Sequence, residues 1–354
     1  MSPVAGERTF CQVGHRIPTR LAESGGVCRS TGAGTAERMS DTHHDQPPKR
    51  TCAVLAPLLY LTVTVEEERD APDVHLHPGG QGFWIARMIE VLGADACLVA
   101  PIGGEAGAVV AALLPGWEID LLAVPASIAT PTQVHDRRSG DRNEIVGLHL
   151  PQLDRHGVDD LYAAALEAAL TSDALVLTSG GNEVWPDDAY GRLLHDLAGR
   201  DTPIFADLHG PVLDVILEAG TITVLKVSEE DLAEDGWPMG SEEQAADAAR
   251  QLHERGASTV VVSRAAEPAI ACVEGDLIRV IPPSLAVVDH TGAGDSMTAG
   301  MTVGHLLGLT WVEAIRLGAA AGAGNVTRRG LGSGRAELIA ELSELVKIEE
   351  LHGG

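Results

Sequence analysis

Aromatic residues are scarce in this chain. Three Phe, three Tyr and five Trp make up 3% of its 354 residues. Any core must therefore be aliphatic, and at 45% hydrophobic residues there is enough Ala, Val and Leu to build a large one. Positive charge is scarce as well. Lys and Arg number 25 against 51 Asp and Glu, a formal charge of −26. So acidic a surface excludes nucleic acid and anionic membranes as partners, since both require basic patches. It does not exclude a nucleotide held locally by backbone amides. The cysteines (Cys11, Cys28, Cys52, Cys97 and Cys272) are odd in number and scattered, with no metal-ligand spacing. They read as reduced thiols of a cytoplasmic protein. No apolar run reaches the ~18 residues of a membrane span. The start lacks the basic and apolar segments of a secretory leader. Neither a G-x-S-x-G elbow nor an H-E-x-x-H helix is present, which excludes the commonest hydrolase and metalloprotease designs.

Glycine, by contrast, is abundant, at forty residues. Residues 1–50 carry Gly, Ser, Thr, Arg and Pro without periodicity, and read as a disordered tail or an over-extended start with Met39 as an alternative. A globular pattern begins at Thr51 and is expected to run to 345. Cys52–Val65 is apolar and β-rich. Gly79-Gly80-Gln81-Gly82 opens a predicted helix, Phe83–Leu92. Residues 123–150 look hairpin-like, turning at Arg138-Ser139-Gly140-Asp141. Helices then precede strands four times over, with strands at Ala174–Thr178, Pro203–Asp207, Thr223–Val227 and Thr259–Ser263. Such alternation predicts a parallel sheet covered by helices on both faces, with ligands at the carboxyl ends of its strands.

The most informative stretch is His290-Thr291-Gly292-Ala293-Gly294-Asp295-Ser296. An apolar run, Val280–Val288, leads in, and a helix-compatible run, Ser296–Leu307, leads out. Small residues let backbone N–H groups converge, and a helix N-terminus adds partial positive charge. A phosphoryl group in transfer suits such a place. Asp295 at its edge is suited to take a proton from an attacking hydroxyl. An N-cap would also suit an Asp there.

Asp289-His290-Thr291-Gly292-Ala293-Gly294-Asp295 resembles the D-T-x-G-A-G-D signature of the ribokinase-like (PfkB) carbohydrate kinases, with His290 in place of Thr. His77-Pro78-Gly79-Gly80-Gln81-Gly82-Phe83-Trp84-Ile85-Ala86 resembles the first signature, G-G-K-G-x-N-x-A, with the His-Pro lead of the 1-phosphofructokinase and tagatose-6-phosphate kinase branch. Lys226–Leu232 resembles K-x-N-x-x-E-L, and Asn325–Gly330 the closing V-T-R-x-G. The resemblance implies an α/β fold: a ribokinase-like, doubly wound, mainly parallel sheet flanked by helices, with a small β lid from segments near 58–78 and 123–150. It implies ATP and Mg2+, transfer to a sugar or sugar-phosphate hydroxyl, and a homodimer formed through the lid.

By the same resemblance Asp295 is the general base, and Gly292, Ala293 and Gly294 form an anion hole. Lys226, Ser228, Ser263, Arg264 and Thr291 serve the nucleotide, with Ala319 and Gly322 as an adenine shelf. Asp231 serves the metal's water shell. Asp207 and Gly210, resembling D-x-x-G, take a supporting role. Gly79, Gly80, Gln81, Gly82, Trp84 and Tyr60 face the acceptor, where the departures concentrate. Tyr60 stands in the place of a sugar-gripping Asp, Gln81 of Lys, Trp84 of Asn and Pro131 of Arg. Ser179-Gly180-Gly181-Asn182 departs from S-G-S-L-P, and Ala265-Ala266-Glu267-Pro268 lacks both glycines of G-x-x-G. The acceptor is therefore expected to be less charged than fructose 1- or 6-phosphate, or partly apolar and nucleoside-like. A nucleoside kinase, or an ATP-binding regulator of this fold without turnover, is the alternative.

Overall fold

Pro57 and the two prolines Pro282-Pro283 punctuate the chain most sharply. The computed structural model describes residues 49–68, 71–139, 142–150, 152–180, 184–220, 222–327 and 334–351. The reading of residues 1–50 thus falls almost wholly outside the described residues, as do Gly181, Asn182 and Arg328–Gly330. The β-rich start divides at Pro57 into β1 (Thr51–Leu55) and β2 (Tyr60–Glu68), which enter different sheets. The chain continues through β3 (Ala71–Gly79), α1 (Gln81–Val91), β4 (Asp95–Ile102), α2 (Gly104–Leu113) and β5 (Asp120–Pro125). Next come β6 (Thr132–Asp136), β7 (Asn143–Val146), α3 (Arg155–Thr171), β8 (Ala174–Thr178), α4 (Asp187–Leu197) and β9 (Ile204–Asp207). Then follow α5 (Val212–Glu218), β10 (Val224–Ser228), α6 (Glu229–Glu234), α7 (Glu242–Glu254) and β11 (Thr259–Arg264). The last elements are β12 (Glu267–Val273), β13 (Asp276–Ile281), α8 (Ala293–Leu306), α9 (Trp311–Asn325), α10 (Ala336–Ser343) and β14 (Lys347–Glu350).

Ten strands form one sheet in the order β14-β13-β12-β11-β10-β9-β8-β1-β4-β5. From β5 to β11 every pairing is parallel; β12, β13 and β14 close one edge antiparallel. Because β14 pairs with β13, the domain extends past the expected end at 345. The chain leaves β1 toward β4 and β5, then returns to β8 on the other side. That reversal makes a crevice at the carboxyl ends of β1 and β8, the usual ligand position in such sheets. One aliphatic core lies beneath α3, α4, α5 and α7, the other beneath α1, α2, α8, α9 and α10. Strand alternation sorts side chains between the two faces. In β9, Ile204 and Ala206 join the first core and Phe205 the second, so Asp207 falls on the α8 face at the strand's end. By the same count Lys226 in β10 emerges on that face.

A second, four-stranded sheet has the order β3-β2-β6-β7. Only Thr132–Asp136 and Asn143–Val146 of the hairpin-like region join it, because Asp120–Pro125 pairs with β4 in the large sheet. The lead into the glycine turn also differs from expectation. Pro282 and Pro283 cannot donate to a ladder, so β13 stops at Ile281 and an irregular loop reaches Asp289. Val287 and Val288 are exposed on that loop.

Candidate active site

Gly292 caps α8 with φ 78°, a left-handed conformation that favours glycine. The loop before it is pinned at several points. Thr291 N–H donates to Asp289 Oδ1 (3.0 Å), and the buried Asn325 amide donates to the Thr291 carbonyl (2.8 Å). Val288 N–H bonds Val326 O at 2.7 Å. Of the three expected anion-hole donors, Ala293 N–H points back to His290 O at 3.3 Å. Gly292 takes the cap position, so Asp295 lies in the first helical turn and is not itself the cap. Helix dipoles stabilise carboxylates there. Two other influences prevail. Burial, then the neighbouring Asp207 carboxylate, push the Asp295 carboxyl up to about 7, against the opposing pull of Lys226. A carboxyl so poised can accept a proton near neutrality.

Asp207 is far more central than its supporting assignment suggested. Its Oδ1 lies 3.2 Å from Lys226 Nζ, and its Oδ2 accepts from Thr298 Oγ1 at 2.7 Å. The side chains of Lys226 and Asp207 are only 8% and 6% exposed. Burial alone would lower the Lys226 pKa, but Asp207, then Asp295, and more weakly Asp231, hold it above its ordinary value. Lys226 also reaches the glycine turn. A Cβ on Gly294 would stand 2.6 Å from Nζ. Glycine is thus what allows a buried ammonium against the first turn of α8, beside the proposed base.

The first glycine cluster, expected to face the acceptor, permits close packing. A Cβ on Gly79 would meet the Tyr60 ring at 2.2 Å. One on Gly80, at φ 116°, would meet Leu58 O at 2.4 Å, and one on Gly82 would meet Ala56 Cβ at 2.5 Å. Gln81 uses both ends of its amide on backbone. Oε1 accepts from Ser179 N–H (2.9 Å) and Nε2 donates to Asp207 O (3.3 Å). It stitches the ends of β8 and β9 together, which corrects its assignment to substrate. Trp84 is corrected likewise. It is 7% exposed, with ring centroids 4.6 Å from Phe83 and 5.7 Å from His77, so its faces pack the core. Tyr60 opens β2 with its ring against Gly79. Burial raises its phenol, with the Asp295 charge adding to the rise and Arg142 opposing it.

The residues expected to serve the nucleotide are anchored by local hydrogen bonds. Ser228 and Asp231 form a reciprocal capping box at α6: Asp231 N–H donates to Ser228 Oγ (3.0 Å), and Asp231 Oδ2 accepts from Ser228 N–H (3.2 Å). Asp231 is therefore a cap before it is anything else. No three His, Cys, Asp or Glu side chains converge as a metal site among the described residues. Ser263 Oγ donates to Val227 O (3.4 Å), and Arg264 is buried against Glu229 (3.3 Å). Ala319 and Gly322 lie in the contact between α8 and α9, where a Cβ on Gly322 would meet Ala293 O at 3.0 Å. Helix packing accounts for both, and Gly322 sets how closely α9 supports the glycine turn. Where G-x-x-G was expected, β11 turns directly into β12 with Ala265 at φ 47°. That left-handed alanine is strained. Ala265→Gly should raise the unfolding free energy by roughly 0.5–1 kcal/mol. Urea denaturation checks this, and an unchanged or lower midpoint would mean the turn relaxes around the alanine.

Residues 55–337 match the pfkB family carbohydrate kinase. Among curated relatives, the ATP-dependent 6-phosphofructokinase isozyme 2 of Mycobacterium tuberculosis is 29% identical over 290 residues, covering 78% of this chain and 83% of that protein. The 1-phosphofructokinase of Bacillus subtilis is 26% identical over 280 residues, 78% of this chain and 89% of that one. Among solved structures, Escherichia coli phosphofructokinase-2 in complex with potassium superposes with a TM-score of 0.72 at 23% identity, covering 84% of this chain and 98% of that one. A carbohydrate kinase from Agrobacterium tumefaciens gives 0.68 at 23%, covering 85% and 100%. The fold is ribokinase-like, and the chain belongs to the pfkB family of carbohydrate kinases. It is a phosphotransferase with an alcohol group as acceptor.

Proposed function

We propose that this kinase transfers the γ-phosphoryl group of ATP to a hydroxyl of a sugar or sugar phosphate, with Asp295 as general base. The observation that carries the reading is the juxtaposition of Asp295, Lys226 and Asp207 at the N-terminus of α8. The acceptor hydroxyl approaches Asp295, gives up its proton to the carboxylate, and attacks the γ-phosphorus, whose bond to the β–γ bridging oxygen breaks as ADP departs. Charge spreads over the transferring oxygens, and the amides of Gly292, Ala293 and Gly294 meet it with the aligned helix behind them. Of these, Ala293 shares its N–H with His290 O, leaving the two glycines as the stronger donors. Lys226 keeps an ammonium at the same point.

ATP fits this site because Lys226 sets a buried ammonium against the N-terminus of α8, at a turn where Gly294 carries no side chain. A Mg2+ ion would add positive charge between the phosphates, and such an ion keeps several water ligands. Its water shell would face the acidic first turn of α6, where Asp231 is close enough to influence Lys226. Gln81 and Trp84 are taken up by structure, so the stacking argument for a nucleoside-like acceptor lapses. ADP release with Mg-ATP against a panel of sugars, sugar phosphates and nucleosides tests the reading. Turnover on a sugar-type acceptor supports it. Tight ATP binding with no turnover on any acceptor favours the regulatory alternative.

The functional unit we infer is a homodimer formed through the small sheet. Val63 stands opposite Leu76 and beside Val134, which faces Val146, while Val65 faces Val74. This puts an apolar row on the sheet's outer face, with Val74 57%, Leu76 47% and Val146 50% exposed. The opposite face carries Thr62, Thr64, Gln133 and His135, all buried. A sheet with its apolar side outward fits a second copy of itself. Leu76→Arg should convert the dimer to monomer in analytical ultracentrifugation, and a wild type already monomeric at micromolar concentration would sink the idea. Among the described residues, no helix is long and apolar enough to cross a membrane.

A further inference from the structure

The inner face of the small sheet carries Thr62, Thr64 and Glu66 along β2, with Gln133 and His135 beside the first two on β6. Side chains alternate along a strand, so the next residue on this face after His135 is Arg137. Arg137 lies one residue past β6, yet its N–H still donates to Val65 O at 2.8 Å and continues the pairing with β2. Its backbone is therefore fixed to the small sheet. Its guanidinium reaches away from it, with Nη2 3.7 Å from Asp289 Oδ2 and Nη1 4.0 Å from Glu66 Oε1. Among the described residues, Arg137–Asp289 is the one ion pair that joins the small sheet to the rest of the chain.

Asp289 turns its other oxygen to the glycine turn. Oδ1 accepts from Thr291 N–H at 3.0 Å, one residue before the Gly292 cap of α8. On its far side the turn is held by the end of α9, through the Asn325 amide and Val326 O. One carboxylate thus links the small sheet to the backbone that leads into Gly292. The guanidinium stands between two carboxylates and is within hydrogen-bond distance of neither. Glu66 belongs to the same sheet and travels with Arg137, whereas Asp289 does not. Any displacement of the small sheet therefore keeps the Glu66 contact and gives up the Asp289 one. The side chains of Arg137 and Asp289 are 27% and 24% exposed, so the pair is weak enough to break and re-form in each turnover.

Resting on the kinase reading above, we infer that Arg137 is a positioning residue: through Asp289 it ties the small sheet to the glycine turn, and so holds the Gly292 and Gly294 amides where the transferring phosphoryl group needs them. It touches neither substrate itself. The amides are aimed while the small sheet stays against the turn, and lose their aim when it departs. Charge stabilisation depends on donors aligned beforehand, and misplacing them by about 1 Å can cost up to 10²-fold in rate. Glu66 sets the strength of the tie by competing for the same guanidinium.

Hydrogen exchange on the full chain tests the tie without any acceptor. The backbone amides of residues 288–296 are followed with Mg-ADP present in wild type, Arg137→Ala, Arg137→Lys, Asp289→Asn and Glu66→Gln. We expect Arg137→Ala and Asp289→Asn to speed exchange there about two- to fivefold, with β8 and α9 unchanged. Arg137→Lys should recover part of the protection. Glu66→Gln should slow exchange or leave it as it is, because Asp289 is then the guanidinium's one carboxylate neighbour. Arg137→Ala combined with Asp289→Asn should exchange no faster than the faster single variant. Equal exchange in wild type and Arg137→Ala, additive effects, or Glu66→Gln as fast as Arg137→Ala overturns the inference. Faster exchange throughout the chain does so too, since it marks a general loss of stability. With the acceptor found by the ADP-release panel, Arg137→Ala should lower kcat about three- to tenfold and leave the ATP KM within about twofold. The two readings fail separately. No turnover on any acceptor sinks the kinase and leaves the exchange pattern standing, whereas turnover indifferent to Arg137 sinks this inference and keeps the kinase.

Discussion

Asp295→Asn should lower kcat by roughly 10²–10⁴-fold, the range for loss of a positioned base. Asn keeps the shape and can still occupy the first turn of α8, but it cannot take the acceptor's proton. ATP affinity should change little, because the amides of the glycine turn and Lys226 remain. In the wild type, kcat/KM should fall as the pH drops through about 7, where the Asp295 carboxyl becomes protonated. A pH–rate profile flat from pH 5 to 8, or a variant within a few fold of wild type, would remove Asp295 from the chemistry.

The same substitution carries an opposite expectation for stability. The folded protein holds the Asp295 proton more tightly than the unfolded chain does, since the pKa rises from 3.8 to about 7 on folding. This residue's contribution is therefore most favourable at acid pH and is lost as the pH climbs through that interval. At pH 8 the charged carboxylate is disfavoured by desolvation and by the Asp207 charge beside it, and Lys226 offsets this only in part. Asp295→Asn should then raise the melting temperature at pH 8 by roughly 2–5 °C, with a smaller gain or none at pH 5. More stable and less active is the signature of a strained functional site. A variant less stable at pH 8 would show instead that the carboxylate holds α8 in place through Lys226.

Much of the scaffold is legible in the sequence because it rests on short-range periodicity. The strands Ala174–Thr178 and Thr259–Arg264 lie where alternation puts them, the second one residue longer than expected. Helix α8 begins three residues earlier than its apolar pattern suggests, since Gly292 can take a left-handed cap and let Ala293 start the turn. The antiparallel edge formed by β12, β13 and β14 escapes such reasoning, being defined by partners far apart in the chain. So does the fate of Gln81. It stands in the place of a lysine in the glycine motif, while the fold asks it to bridge two strand ends. Asp207 shows the same limit from the other side. Nothing local distinguishes an acid at the end of β9 from any other, and only the neighbouring strand's Lys226 and Thr298 on α8 make it central.

Lys226→Met and Asp207→Asn should shift the acid limb of the pH profile in opposite directions. Lys226 lowers the Asp295 pKa and Asp207 raises it. Removing the ammonium leaves two carboxylates facing each other without a cation, so the limb should move above 7. Removing the Asp207 charge takes away the repulsion and leaves Lys226 to Asp295 alone, so the limb should move below 7. Both variants break a buried pair and should lose stability, for Lys226→Met by about 3–5 kcal/mol, because a buried carboxylate is left uncompensated. Asp207→Asn should lose less, since an amide can still accept from Thr298 and the neighbouring Asp295 remains for the ammonium. Urea denaturation ranks the two, and kcat/KM measured from pH 5 to 9 reads the limb. Shifts of the same sign, or none, would mean that Asp295 does not share its field with this pair, and the proposed site would lose the interaction that poises its base.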